Sequence, residues 1–161
     1  MKISFVIHGE PASKANSRDI VTRRKRDETG TLKSRPMSIK SDKARDYERN
    51  ALKQIPPRAR VQLAGPVRVT LRIYYASERP DLDESVVLDV MQNRYVSVKR
   101  RGVKARELVQ RGVYLNDRQV REKHIYHGID RKNPRVEVEI EPLQAQQSAL
   151  ALDHSTAFEL A

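Results

Sequence analysis

Hydrophobic and polar residues alternate most regularly over residues 67–75. The residues that share the apolar face there are Val67, Val69, Leu71, Ile73 and Tyr75. A period of two residues is typical of a half-buried β-strand. Residues 2–8, 119–127 and 135–141 alternate in the same way over shorter stretches. The pattern therefore predicts four strands, with the last two joined by a hairpin loop over residues 130–134.

Two other stretches repeat their apolar residues at helical spacing. The first begins at Ser41, places Ala44, Tyr47, Ala51 and Ile55 on one stripe with Arg45, Glu48 and Arg49 outside, and stops at Pro56 and Pro57. The second begins near Asp83 and repeats Val86, Val87, Val90 and Met91. Each stripe predicts a helix that packs against the sheet.

Three segments break these patterns. Residues 12–38 have no apolar period and predict a long loop. Residues 93–111 read as a basic insertion with a short helix over 104–110, and residues 143–161 as a C-terminal tail. The remaining order of strand, helix, strand, helix, strand, strand predicts one α/β (α+β) domain over residues 1–142. Its mixed sheet of about four strands would carry helices on one face.

Composition narrows the class of protein. The 161 residues include no cysteine, which excludes disulfide frameworks and zinc–thiolate sites and suits a reducing cytoplasm. No stretch approaches the roughly 20 apolar residues of a membrane span. We therefore expect a cytoplasmic protein without a membrane partner.

Charge gives the next indication. Lys and Arg number 32 against 21 Asp and Glu, a formal net charge of +11. Such an excess favours a polyanionic partner, and DNA in particular, over a basic surface that serves only solubility. The candidate DNA-binding residues are Lys14, Arg18, Arg23, Arg24, Lys25, Arg26, Lys99, Arg100 and Arg101.

Three acids stand where apolar segments run into polar turns. If the strand continues, Asp81 and Asp83 project to the same side roughly 7 Å apart, with Leu82 turned into the core. Two carboxylates at such a short distance repel each other, and a divalent cation relieves the repulsion. Their hard oxygen atoms select Mg²⁺, Mn²⁺ or Ca²⁺ over zinc. Asp117 occupies a similar junction.

Two simpler interpretations compete with a metal site. Asp81 and Asp83 could be acids at a helix N-terminus, favoured by the helix dipole, and Asp117 an ordinary turn residue. A histidine site is disfavoured, because His124 and His127 are three residues apart and a strand places them on opposite faces.

The arrangement of a strand, Asp81-Leu82-Asp83, an apolar helix containing Asp89, and the segment Val113 to Val120 resembles the RusA family of Holliday-junction resolvases. Gly9 to Lys14 is similar to the Gly/Pro-rich loop that follows the first strand in that family. The likeness spans roughly residues 2–142.

The resemblance implies a metal-dependent endonuclease that cuts four-way DNA junctions symmetrically as a homodimer. By position, Asp81, Asp83 and Asp117 become the catalytic acids that bind Mg²⁺, for which Mn²⁺ can substitute. The family's catalytic lysine falls on Val86 or Val87 here. Lys14 is therefore the candidate for the missing positive charge, against its interpretation as a surface lysine. A non-catalytic DNA-binding protein, or a nuclease for flaps or other branched substrates, remains the alternative.

Overall fold

A computed structural model describes residues 1–13, 17–26 and 28–143 as eight strands and two helices. In chain order the elements are β1 (Ile3–His8), β2 (Arg18–Arg26), β3 (Leu32–Lys40), α1 (Asp42–Gln54), β4 (Val67–Tyr75), α2 (Ser85–Met91), β5 (Arg94–Arg100), β6 (Val103–Gln110), β7 (Val120–Ile129) and β8 (Arg135–Pro142). Neither helix is long and apolar enough to cross a bilayer.

Four of these strands form one mixed sheet in the order β1-β8-β4-β7. β4 is parallel to β7 and antiparallel to β8, which is antiparallel to β1. The five apolar side chains of β4 are completely buried, and the helices pack over this face. The opposite face carries ion pairs, such as Arg72 with Glu139 at 3.2 Å. The predicted fold class, a mixed sheet with helices on one face, is confirmed.

Helix α1 begins where the sequence predicts. Ser41 is the N-cap, and its hydroxyl accepts a hydrogen bond from the Ala44 amide at 3.2 Å. Ala44, Tyr47 and Ala51 are buried, as their spacing predicts. Glu48 was predicted to face outward, but only 12% of its side chain is exposed. The difference arises because residues outside the sheet cover this part of the helix.

The loop predicted over residues 12–38 is wrong for most of its length. β2 and β3 pair as an antiparallel hairpin, from Arg18 opposite Lys40 to Arg26 opposite Leu32. Nearly every residue of this hairpin is exposed. Because both faces meet solvent, the strands have no need of alternating apolar residues, and the sequence carries no strand period.

The short helix predicted over residues 104–110 is also wrong. β5 and β6 form a second antiparallel hairpin. Its two-residue turn uses Arg101 and Gly102, with φ angles of 50° and 82°. Positive φ at both central residues is the geometry that joins two strands with the correct twist. The basic insertion at 93–111 is therefore an exposed β-ribbon.

The predicted hairpin between β7 and β8 is a crossover instead. β4 lies between the two strands and pairs with both. The loop over residues 130–134 passes the end of β4, where the Asp130 amide donates to the Tyr75 carbonyl at 2.9 Å. The inward face of β4 is fully buried, and at the centre of the sheet both edges of this strand are paired. Apart from Leu143, the predicted tail at 143–161 lies outside the described residues.

Candidate functional site

One phenol hydroxyl fixes the backbone of both predicted acids. Tyr75 is the last residue of β4, and its ring is buried. Its hydroxyl donates to the Asp81 carbonyl at 3.1 Å and accepts from the Asp83 amide at 3.2 Å. The segment between β4 and α2 therefore curls over the end of the strand, and the acids take their place from Tyr75.

Asp83 is buried, with 7% of its surface exposed. Its Oδ1 accepts a hydrogen bond from the Ser85 amide at 3.0 Å. Its Oδ2 is buried and has no hydrogen-bond partner among the described residues. Burying an ionised carboxylate oxygen without a partner costs more than burying a neutral polar group, unless a counter-charge is close. A cation at Oδ2 would supply that charge.

The predicted placement of Leu82 in the core is wrong. Leu82 is 42% exposed and Asp81 is exposed, whereas Asp83 is buried. The prediction assumed that the strand continues to residue 83, but β4 ends at Tyr75. Side-chain alternation does not hold in the irregular segment that follows.

More acids surround the Tyr75 hydroxyl than the D-x-D motif supplies. Burial raises the pKa of Tyr75; the hydrogen bond from the Asp83 amide opposes this, and the negative charges of Asp83, Glu10 and Glu84 raise it further. Glu10 Oε1 accepts from the Ala76 amide at 3.3 Å. This end of the sheet is therefore an acidic region in a strongly basic chain.

Two lysines balance part of this charge. Lys43 Nζ lies 3.5 Å from Glu10, and Lys123 Nζ lies 2.7 Å from Glu84. Lys123 comes from β7 and thus reaches the residue next to Asp83. Lys14, the predicted source of positive charge, lies outside the described residues.

The resemblance to the RusA family implies that the family's lysine would fall on Val86 or Val87. Both are buried in the core, at 4% and 0% exposure. A lysine at either position would have to bury its ammonium group. Both valines belong to the core that packs α2 against the sheet, and neither supplies the positive charge that the resemblance implies.

Asp117 lies at the other end of α2 from Asp83. It opens a short 3-10 turn, and its amide donates to Gln92 Oε1 at 3.4 Å. Burial raises the pKa of Tyr114, and the negative charges of Asp117 and Asp89 raise it further, which places both carboxylates near that phenol.

The described part of the chain contains no group of three or more His, Cys, Asp or Glu side chains arranged to hold a metal ion. Asp81 and Asp83 lie on one segment before α2, and Asp117 approaches α2 at its other end, beside Gln92. His124 and His127 both lie within β7, three residues apart.

The predicted DNA-binding residues that are described lie on the two hairpins. Arg18, Arg23, Arg24, Lys25 and Arg26 are exposed along β2, and Lys99, Arg100 and Arg101 are exposed at the far end of β5. The sequence identified these residues from charge alone. The list of candidates did not include Lys33 and Arg35, which stand opposite Lys25 and Arg23 on β3.

Tyr75 and Glu10 were also missed. Tyr75 occupies an inward position of a strand pattern, so its spacing indicates only a core residue. The structural signal is the pair of buried side-chain oxygens without a hydrogen-bond partner among the described residues, Tyr47 Oη and Asp83 Oδ2. Burial raises the pKa of the Tyr47 phenol, and the nearby Tyr75 raises it further. Both oxygens therefore lie in the surroundings of Tyr75.

Among the described carboxylates, Asp83 alone has a buried oxygen without a hydrogen-bond partner in the described part of the chain. A buried oxygen without a partner is a hard ligand that needs a positive charge. Mg²⁺ is commonly bound by one or two carboxylates together with water and substrate phosphates, so two acids are sufficient. No protein-family model matches the chain, and no curated protein matches it.

The hydroxyl of Tyr75 provides a direct test of the site. Tyr75→Phe keeps the ring but leaves the Asp81 carbonyl and the Asp83 amide without their partner. For the endonuclease that the resemblance implies, we expect DNA cleavage to fall by roughly 10- to 100-fold because the acids lose their position. We expect stability to fall by about 1–3 kcal/mol. DNA binding should stay unchanged.

Tyr74→Phe is the matched control. The guanidinium of Arg135 lies 4.1 Å from the centre of the Tyr74 ring, a contact that phenylalanine retains. The comparison requires the cleavage rate and the unfolding temperature of both variants and of the native chain. Equal cleavage by Tyr75→Phe and Tyr74→Phe would contradict a positioning role for Tyr75.

Proposed function

We propose that this chain is a metal-dependent endonuclease for branched DNA, of the Holliday-junction resolvase type that the RusA family represents. The observation that carries the proposal is the buried Oδ2 of Asp83, which has no hydrogen-bond partner among the described residues and belongs, with Asp81, to the segment that follows the central strand. In a chain of net charge +11, these acids would repel a DNA phosphate unless a cation lay between them.

Asp81 and Asp83 would hold the cation, and Asp117 is proposed as a further ligand. A bound Mg²⁺ or Mn²⁺ lowers the pKa of a water molecule and neutralises charge that grows on the phosphate. The residues of the chain itself would position the metal ligands and the phosphate. Tyr75 fixes the two acids, and Lys123 at Glu84 brings a positive charge close to the phosphate that enters the site.

A symmetric four-way junction requires two cuts. A homodimer with twofold symmetry supplies two related active sites, and this is the commonest oligomeric arrangement. We therefore propose that the active form on DNA is a dimer, as the resemblance to the family implies. A substrate with a flap or another branch remains compatible with the same chemistry.

A non-catalytic DNA-binding protein is the second candidate. The observation in its favour is the hydrogen bond from the Ser85 amide to Asp83 Oδ1, which is the contact of an acid at a helix start. This interpretation accounts for the hydrogen bond at Oδ1 of Asp83 but gives no reason for the burial of Oδ2. For this reason the nuclease is the stronger proposal.

The test uses a labelled four-way junction and a linear duplex of the same sequence, each with Mg²⁺, Mn²⁺ or EDTA. We expect paired nicks at symmetric positions near the crossover, only with metal and only in the junction. Sedimentation on the junction should give two copies of the chain. Binding without cutting under both metals would contradict the nuclease proposal and favour the second candidate.

A further inference from the structure

The two exposed hairpins place like charges directly opposite each other. On one face of β2–β3, Arg23 stands opposite Arg35 and Lys25 opposite Lys33; on β5–β6, Lys99 stands opposite Lys104. Directly opposed side chains in an antiparallel pair are roughly 5 Å apart at Cβ, and like charges there are destabilising. Neither hairpin belongs to the four-stranded sheet that could offset this cost.

The same arrangement on two separate ribbons indicates a common partner. A polyanion laid along these faces would convert each repulsive pair into a pair of phosphate contacts. The cations of β2–β3 line a concave surface together with Met37. Rows of cations along a two-stranded ribbon suit a double helix, because the major groove of B-DNA is wide enough to admit such a ribbon.

The bases of the two hairpins meet at one carboxylate. Lys40 is the last residue of β3 and Arg94 is the first residue of β5. Lys40 Nζ lies 3.0 Å from Glu48 Oε2, and the Arg94 guanidinium donates to Glu48 Oε1. Lys40 also lies 3.3 Å from Asp89 on α2. The base of each hairpin is thus tied to α1, and one of them to α2 as well.

Glu48 is held as an anion between these two cations. Burial opposes its ionisation, but hydrogen bonds from Arg94 and Lys40 and their positive charges outweigh burial, and the pKa of Glu48 is lowered. A carboxylate that accepts from both hairpins fixes the angle between their bases. No other described acid forms an ion pair with both hairpins.

We propose that the two hairpins act together as a two-armed clamp on one DNA duplex, and that Glu48 is the positioning residue that holds the arms at their bases. The proposal rests on the nucleic-acid substrate of the proposed function and does not depend on its chemistry. Arm 1 is β2–β3, with contact residues Arg23, Lys25, Lys33 and Arg35. Arm 2 is β5–β6, with contact residues Lys99 and Lys104.

Duplex binding in EDTA tests the arms without any cleavage. The variants are Arg23→Gln/Lys25→Gln on arm 1, Lys99→Gln/Lys104→Gln on arm 2, and all four changes together. The control is Lys2→Gln/Arg58→Gln, which removes the same charge near the start of β1. Fluorescence anisotropy over a range of salt concentrations gives the affinity and its salt dependence.

Each arm variant should weaken binding at least 10-fold and reduce the slope of log K against log salt by about 2, since one phosphate contact is lost per cation. In the variant with all four changes, the slope of log K against log salt should fall by about 4, because both arms contact the same duplex. The control should keep the native slope. If either arm variant keeps the native slope, or if the control loses as much as the arms, the clamp is wrong.

The role of Glu48 needs a readout other than affinity. The chain has no cysteine, so Glu28→Cys near the tip of arm 1 and Val103→Cys near the tip of arm 2 introduce the only two labelling sites. Spin labels at these two sites report the distance between the arms by pulsed electron paramagnetic resonance. Glu48→Gln should broaden this distance distribution and weaken duplex binding roughly 10-fold, with the salt slope unchanged, because each arm still contacts phosphate.

Asp46→Asn is the control for Glu48→Gln. Asp46 lies on the same helix, is exposed and forms an ion pair with Arg49 at 3.0 Å. It should leave the distance distribution and the affinity at their native values. An unchanged distance distribution in Glu48→Gln would overturn the positioning role.

The outcomes separate the clamp from the nuclease. Cleavage by the native chain together with native binding by the arm variants would refute the clamp alone. Loss of binding in the arm variants, with no cleavage by the native chain under any metal, would refute the nuclease and keep the clamp.

Discussion

Asp83→Asn should abolish metal-dependent cleavage while the protein still folds and binds junctions. Asparagine has nearly the same shape, and its Oδ1 can still accept from the Ser85 amide. The variant loses the negative oxygen that would hold the cation. Losing several kcal/mol of transition-state stabilisation corresponds to a fall in rate of roughly 10³- to 10⁴-fold.

Binding and stability make this prediction specific to the metal. Junction affinity should stay the same or rise, because the variant removes one negative charge from a surface that meets phosphate. Added Mg²⁺ should raise the unfolding temperature of the native chain and not that of Asp83→Asn, since only a cation bound to the folded state stabilises it. Gel assays and thermal unfolding provide both measurements.

Asp46→Asn again supplies the matched control, since it makes the same chemical change at an exposed site on α1. It should cut junctions at the native rate. Cleavage at the native rate by Asp83→Asn would refute Asp83 as a metal ligand, and the helix-start interpretation of its Oδ1 contact would then be sufficient.

The sheet and its helices could be predicted because burial leaves a pattern in the sequence. Each inward side chain of β4 must be apolar, and α1 needs an apolar stripe on the side that meets the sheet. The order of strands could not be read in the same way. β7 and β8 are close in sequence, yet β4 lies between them, and no residue near the loop at 130–134 records that pairing.

The two hairpins escaped prediction for the opposite reason. Solvent meets both of their faces, so no period of apolar residues marks them as strands. The sequence indicated the positive charge of these segments but did not indicate that they form strands. Glu48 was predicted to face solvent for a related reason, because the helical pattern does not record that the hairpin bases cover it.

The candidate site was located by composition and misplaced in detail. Asp81 and Asp83 stand out because they form an acidic cluster in a chain of net charge +11. Their geometry depends on the point at which β4 ends, and the sequence pattern gives no sign of the bond from Tyr75 to both residues. Whether Asp117 joins them depends on how the chain returns past α2, and this is set by the contact at Gly112.

Gly112→Ala should be strongly destabilising and should impair cleavage as well. A Cβ at this position would lie 2.3 Å from the carbonyl carbon of Gln92, 2.4 Å from the oxygen of Met91 and 2.6 Å from the nitrogen of Asn93. All three are backbone atoms at the end of α2, so no side chain can move aside. The Gly112 amide also donates to Asn93 Oδ1 at 2.7 Å, and a backbone shift would lengthen this bond.

We expect a loss of about 3 kcal/mol or more from overpacking and the weakened hydrogen bond, or roughly 10 °C in unfolding temperature for a chain of this size. Gly30→Ala separates packing from backbone conformation. Gly30 has a φ of 79° with nothing within 4 Å of its Cβ position, so alanine there should cost only about 1–2 kcal/mol.

The loss in Gly112→Ala should extend to function because Gly112 begins the segment that leads to Asp117. The Val113 amide donates to the Met91 carbonyl at 2.7 Å, so a chain pushed away from α2 carries Asp117 with it. Folded Gly112→Ala, assayed below its unfolding temperature, should therefore cut junctions more slowly than Gly30→Ala does. Slower cutting would support Asp117 as part of the active site. Native cutting by a folded but destabilised Gly112→Ala would leave Asp81 and Asp83 as the only acids that cleavage requires.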